Sequence, residues 1–219
     1  MFDLRGRRRR AVQATYLMLA VLMGGGLVLF GIGGGVSGGL LDAFQGGGGG
    51  SSGNELIEKR IDREQQRLAA NPQNEALLKA LVRDNYALAT SQIDSGSQTF
   101  PDDAKDELRA AAKYWQRYLE THQGKPDPSL AGVAFQIYDV NALNDAKEAQ
   151  RAMGIIAEER NDSASYLQLV AYAARAGDTR TANLAAIKAV DLAPKGQKQA
   201  VKKQAEALKN PQQQQSNGG

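Results

Sequence analysis

The chain has 219 residues, no cysteine, one histidine, 24 glycines and a formal net charge of +3. That length accommodates one ordinary domain with appendages. The missing cysteines exclude a disulfide framework, a thiolate metal site and a cysteine nucleophile. The charge is local: five arginines (Arg5, Arg7, Arg8, Arg9, Arg10) against Asp3 and Asp42 put residues 1–53 at +3. The chain's 27 Lys+Arg and 24 Asp+Glu then leave 22 of each for the rest, so the main domain is neutral and carries no electrostatic footprint for nucleic acid.

Residues 1–10 are a basic N-terminus, and Ala11 to Leu41 follow as 31 residues without a charged side chain. The most apolar part, Val12 to Ile32, would be about 31 Å long as a helix, against a hydrocarbon core of about 30 Å. Only a helix can satisfy the backbone of one lone segment in lipid, so residues 11–41 are predicted to be a transmembrane helix in contact with membrane lipid. Arg7, Arg8, Arg9 and Arg10 disfavour translocation of the N-terminus, which places it in the cytoplasm and the following chain outside. A secretory signal peptide also begins with a basic and then an apolar region. The length of the apolar stretch favours the anchor, and Val36-Ser37-Gly38 is the nearest approach to a cleavage site. The residues after Arg9-Arg10 fit a twin-arginine signal poorly.

Sixteen of the 24 glycines lie in residues 1–53. Gly31 with Gly35, and Gly35 with Gly39, have the small-xxx-small spacing that lets two membrane helices pack as a homodimer; the alternative is a helix that frays after Ile32. Residues 42–53, ending Gly46 to Gly50 and Ser51-Ser52-Gly53, read as a Gly/Ser linker with an end-to-end distance of about 17–21 Å.

From Asn54 onward apolar residues recur at helical spacing and no stretch alternates with period two for long. The expected class is all-α, with helices at about 54–70, 74–92, 102–122, 129–141, 143–160, 163–176 and 179–192, and a polar one at 196–209. Asn71-Pro72, Pro126-Asp127-Pro128, Gly177-Asp178 and Ala193-Pro194 fall between segments, where breakers belong. Residues 210–219, with Gln212 to Gln215, read as a disordered tail.

The helices pair. In the last pair Tyr166, Leu169, Val170 and Ala173 share one helix, Gly177 makes the turn, and Ala182, Ala186, Ala189 and Val190 follow before Pro194. This resembles a tetratricopeptide repeat, with Val170, Ala173 and Ala186 departing from the family's small residue, Tyr and Phe. Residues 130–161 look like a degenerate copy, with Val133, Ile137 and Val140 on its first helix and Ala149, Met153 and Ile156 on its second. Residues 75–125 look like a third, carrying an insertion from Ile93 to Phe100. In this copy Leu78, Leu81 and Val82 face Ala111, Trp115 and Tyr118. Segment 54–70 ends like half a repeat. The resemblance implies an α-α superhelix of about three hairpins over residues 54–209, with the final helix as a solvating cap.

No catalytic constellation is present. His122 reads as a surface or capping residue at a helix end, not as a metal ligand or base. The carboxylate pairs Glu158-Glu159, Asp102-Asp103 and Asp106-Glu107 are sequence neighbours that point about 100° apart, poor partners for acid–base work. Trp115 reads as core. No metal, cofactor, nucleic acid or enzymatic activity is expected.

The resemblance implies instead a concave groove that holds a segment of a partner protein. By register it would be lined by Lys79, Arg83 and Tyr86 from the first hairpin, Tyr138 and Asn141 from the second, and Leu167, Ala171 and Arg175 from the third. Lys79 and Arg83, one turn apart, could meet an acidic group. The family's carboxylate clamp of Lys and Asn is not reproduced. The expected protein is therefore a single-pass scaffold or chaperone-like module of the bacterial envelope type, in the cytoplasmic (inner) membrane with its domain outside. The alternative is an exported soluble carrier or structural protein released after cleavage of the first segment.

Overall fold

The computed structural model describes residues 50–94, 97 and 99–209. The basic N-terminus, the expected membrane helix at 11–41 with its Gly31, Gly35 and Gly39 face, linker residues 42–49 and the tail at 210–219 lie outside the described residues. Among those described, no helix is long and apolar enough to cross a membrane.

The described chain is all-α. Its helices are α1 (Gly50–Ala70), α2 (Glu75–Ser91), α3 (Ala104–Thr121), α4 (Pro128–Ile137), α5 (Ala146–Arg160), α6 (Ser163–Arg175), α7 (Thr179–Leu192) and α8 (Lys198–Lys209), with one 3₁₀ turn at Lys195–Gln197. Five start on an Asn or Asp side chain that accepts backbone N–H groups of the first turn: Asn74, Asp127, Asp145, Asp162 and Asp178. These short polar side chains satisfy donors that the helix cannot. Pro128 follows Asp127 at the first position of α4, where a missing N–H costs nothing. Asn161 (φ 46°) and Gly177 (φ 74°) end α5 and α6 in the left-handed region.

Of the boundaries that differ from expectation, the helix expected from 143 starts at Ala146 because Asp145 caps it, and two others have causes further afield. Gly50–Gly53, read as linker, forms the opening of α1. Once Ile57, Ile61 and Leu68 are buried, each further helical residue adds a hydrogen bond to an existing nucleus. The helix expected over 129–141 stops at Ile137. There Asp139 Oδ1 takes the Asn141 N–H at 3.1 Å, the Asp139 carbonyl takes the Asn144 N–H at 2.8 Å, and Asn144 adopts φ 54°. Asp and Asn side chains compete with the helix for backbone partners. Val140, read as part of the core stripe, is in consequence 50% exposed.

The helices pack as consecutive antiparallel neighbours, α1 on α2, α2 on α3, α4 on α5 and α6 on α7, while α5 packs on α6 and α4 on both α2 and α3. Helix α8 lies against α6 and α7 and buries Val201 and Ala205. One continuous core runs through these contacts. Its largest fully enclosed side chains are Trp115, Tyr118, Leu78, Leu81, Leu108, Leu130, Ile137 and Met153. Full burial of side chains this size contributes about 1.5–3 kcal/mol each.

Candidate functional site

The first helices of the three hairpins, α2, α4 and α6, are tied together by a series of polar and aromatic side chains. At one end Lys79 Nζ lies 3.0 Å from Asp127 Oδ2, and Arg83 Nη2 lies 3.8 Å from the same oxygen. The Asp127 carboxylate has a second role, because its other oxygen caps α4 by accepting from Ser129 and Leu130. Burial pushes the Asp127 carboxyl up, but the Lys79 ammonium and those backbone N–H groups outweigh it and hold the group below its ordinary range. The bond to Asp127 raises Lys79 in turn. The Lys79 ammonium also sits 5.4 Å over the Tyr118 ring.

Further along, the Tyr86 hydroxyl donates to Gln136 Oε1 at 2.5 Å, joining α2 to α4, and its ring packs 6.2 Å from Phe100. The Tyr172 hydroxyl donates to Asp139 Oδ2 at 3.0 Å, and the Phe135 and Tyr172 rings meet edge-on at 4.7 Å, joining α4 to α6. The Arg175 guanidinium lies 5.5 Å over the Tyr172 ring. Burial, with the nearby Asp139 carboxylate, pushes both Tyr86 and Tyr172 up to about 12. Both hydroxyls therefore stay protonated and act as donors throughout the physiological range.

The residues singled out in the sequence are distributed unevenly on this face. Lys79 and Arg83 converge on an acid, and that acid is the chain's own Asp127. Tyr86 and Arg175 belong to the same row, and Ala171 is half-buried beside it. Tyr138 turns away: it is 5% exposed, accepts from Gln116 Nε2 of α3 at 3.2 Å, and burial pushes it up to about 12. Asn141 is exposed in the turn after α4, where its carbonyl accepts the Phe100 N–H. Leu167 is enclosed in the core and presents almost no surface.

Five members of the row went unread in the sequence: Asp127, Phe135, Gln136, Asp139 and Tyr172. Asp127 carried a signal, since Asp before Pro marks a capped helix start. Asp139 lay inside the span that periodicity read as helix, 129–141, and carried no signal of its own.

Among the described residues the row offers two cations with little or no ionic compensation at their tips. Arg83 is 43% exposed and only 3.8 Å from a carboxylate already held by Lys79, and Arg175 is exposed over an aromatic ring. Between them run the partly buried rings of Tyr86, Phe135 and Tyr172. Both carboxylates of the row are engaged: Asp127 by Lys79, Arg83 and the first turn of α4, and Asp139 by Tyr172 and the turn backbone. Elsewhere, Asp102 pairs with Lys105 and Asp106 with Arg109, both at 2.6 Å. Among the described residues no three His, Cys, Asp or Glu side chains gather as a metal-ion cage. Comparison with protein-family models, curated proteins and solved structures gives no significant match to this chain.

Proposed function

We propose that the protein is a membrane-tethered, non-enzymatic scaffold or chaperone-like module, which holds another protein on the face shared by α2, α4 and α6. In this reading the hairpins are tetratricopeptide-like repeats and that face is their concave groove. Residues 11–41 anchor the chain in the cytoplasmic membrane of a bacterial envelope, with the helical domain outside. The observation that carries the reading is the side-chain row from Lys79 and Arg83 through Tyr86 and Gln136 to Tyr172 and Arg175, which links three non-consecutive helices along one face. The membrane part is supported by sequence: 31 uncharged residues directly after an arginine cluster. Tethering would raise the local concentration of the domain for partners at the same membrane.

The test is site-specific photocrosslinking in native membranes. A photoreactive residue at Arg83 or Arg175 is expected to capture one and the same protein, whereas probes at the exposed Leu184 and Ile187 of α7 capture none of it. Identical capture from both sets of positions would remove the groove. A mature N-terminus found after residue 35 would remove the anchor and favour the exported carrier.

A further inference from the structure

Both ring nitrogens of the chain's one histidine face oxygen acceptors. His122, the residue that ends α3, places Nδ1 2.9 Å from Glu75 Oε2 in the first turn of α2, and Nε2 2.8 Å from the Lys125 carbonyl oxygen. A neutral imidazole has one N–H and one lone pair. Whichever tautomer it adopts, one of these two contacts then sets a ring lone pair against an oxygen lone pair. Only the imidazolium donates to both. The side chain is mostly shielded, 17% exposed, and its ring packs against that of Tyr118, tilted by 31° with centroids 5.0 Å apart.

The segment that His122 holds is short and is fastened at its far end too. The Asp127 N–H donates to the Tyr118 hydroxyl at 2.8 Å, and the Asp127 carboxylate takes Lys79 and Arg83. The charged and titratable groups around the imidazole are therefore Glu75 and Lys79 of α2, Tyr118 of α3, and Asp127 at the head of α4. Glu75 favours the imidazolium. Lys79 opposes it, but its charge is matched by Asp127.

We propose that His122 is a proton-dependent clasp: protonated, it pins the α3–α4 connection to the first turn of α2, and deprotonated, it loosens the hold of Asp127 on Lys79 and Arg83. The consequence for a partner rests on the groove reading above, since Arg83 belongs to that face; the clasp itself does not. The hydrogen bond to Glu75, followed by that to the Lys125 carbonyl, raises His122 above its ordinary 6.5. A group raised on folding contributes stability that is fully present below its unfolded value and is lost as pH rises through the folded value. The clasp thus opens on the alkaline side.

A single histidine makes the measurement direct. The full chain, purified in detergent micelles without a histidine tag and labelled at the imidazole carbons, gives one ring signal to follow by NMR between pH 5 and 9. The expected midpoint lies above 6.5, and Glu75→Gln moves it down. The backbone amides of Asp127 and Leu130 are expected to shift with the same midpoint, and to lose that response in His122→Gln. A wild-type midpoint at or below 6.5, or one that Glu75→Gln leaves in place, overturns the clasp. Amides of Asp127 and Leu130 that ignore the histidine's titration overturn its link to Lys79 and Arg83. No partner enters this titration, so its failure and a failure of the crosslinking experiment are separate results.

Discussion

The first and last hairpins solve the same packing problem with different side chains. Between α2 and α3 the interior is built from Leu78, Leu81, Val82, Leu108, Trp115 and Tyr118, every one of them fully enclosed. Between α6 and α7 the enclosed residues are mostly alanines, Ala173, Ala182, Ala185, Ala186 and Ala189, with Val170 and Leu169 for bulk. Small side chains let two helices approach closely but bury less apolar area per turn. The last hairpin recovers area from α8, which adds Val201 and Ala205 against α6 and α7. Bulk is therefore internal to the first hairpin and borrowed in the last, and the two should respond oppositely to changes in volume.

The largest effect is expected at Trp115. Truncation to alanine leaves a cavity in a dense core and should cost about 3–5 kcal/mol, read as a lower urea midpoint by circular dichroism. In the last hairpin truncation has little to remove, and enlargement is the damaging change. Ala189→Leu should cost about 1–3 kcal/mol through overpacking. If Ala189→Leu proved neutral while Trp115→Ala remained severe, α6 and α7 would be loosely apposed and the contrast would lie in density instead of side-chain size.

The helix exits give a finer contrast of about 1–2 kcal/mol. Gly177 sits at φ 74° with open space where a Cβ would go, so Gly177→Ala meets backbone strain alone, and the left-handed region costs an alanine about that much. Asn161, at φ 46°, already occupies this region with a side chain that tolerates it. Asn161→Gly should accordingly move the thermal midpoint far less than Gly177→Ala. Equal responses would mean that the two exits are not governed by the same backbone requirement.

This division explains what the sequence disclosed. Helical spacing alone places Leu78, Leu81, Val82, Ala111, Trp115 and Tyr118 in the core, because a buried stripe is a local pattern read one turn at a time. The same spacing overran Ile137, since nothing in apolar periodicity registers the Asp139 side chain accepting the Asn141 N–H or the left-handed turn at Asn144. The candidate face was legible by halves. Lys79 and Arg83 were visible as a cationic pair, but their acid is Asp127, more than forty residues onward, and Tyr86 finds Gln136 fifty residues away. Such pairings depend on the offset between stacked hairpins, which is set by packing and leaves no mark on neighbouring residues. His122 looked like a capping residue at a helix end, and it does end α3, yet its partner Glu75 lies on another helix.

The smallest expected effect at neutral pH separates the two ends of the domain by whether a helix cap responds to acid. In the first hairpin α2 is capped by Asn74, which does not titrate, and Asp103 before α3 makes no side-chain capping bond. In the last hairpin Asp178 caps α7. It accepts the Thr181 N–H at 2.9 Å, the Thr181 hydroxyl at 2.7 Å and the Gln150 amide at 2.7 Å, and these bonds, the backbone one foremost, hold it down to about 2. A group lowered on folding contributes stability that is present above its ordinary value of 3.8 and is lost as pH falls through about 2. Asn caps a helix as well as Asp, so Asp178→Asn should be close to silent at pH 7. Its signature is in acid: denaturation midpoints followed from pH 5 to 2 should fall less steeply in Asp178→Asn than in the wild type. An unchanged slope would show that Asp178 is not held by Thr181 and Gln150 in solution. The acid sensitivity would then have to be sought at Asp127, whose carboxylate is likewise held down, but by Lys79 and the first turn of α4.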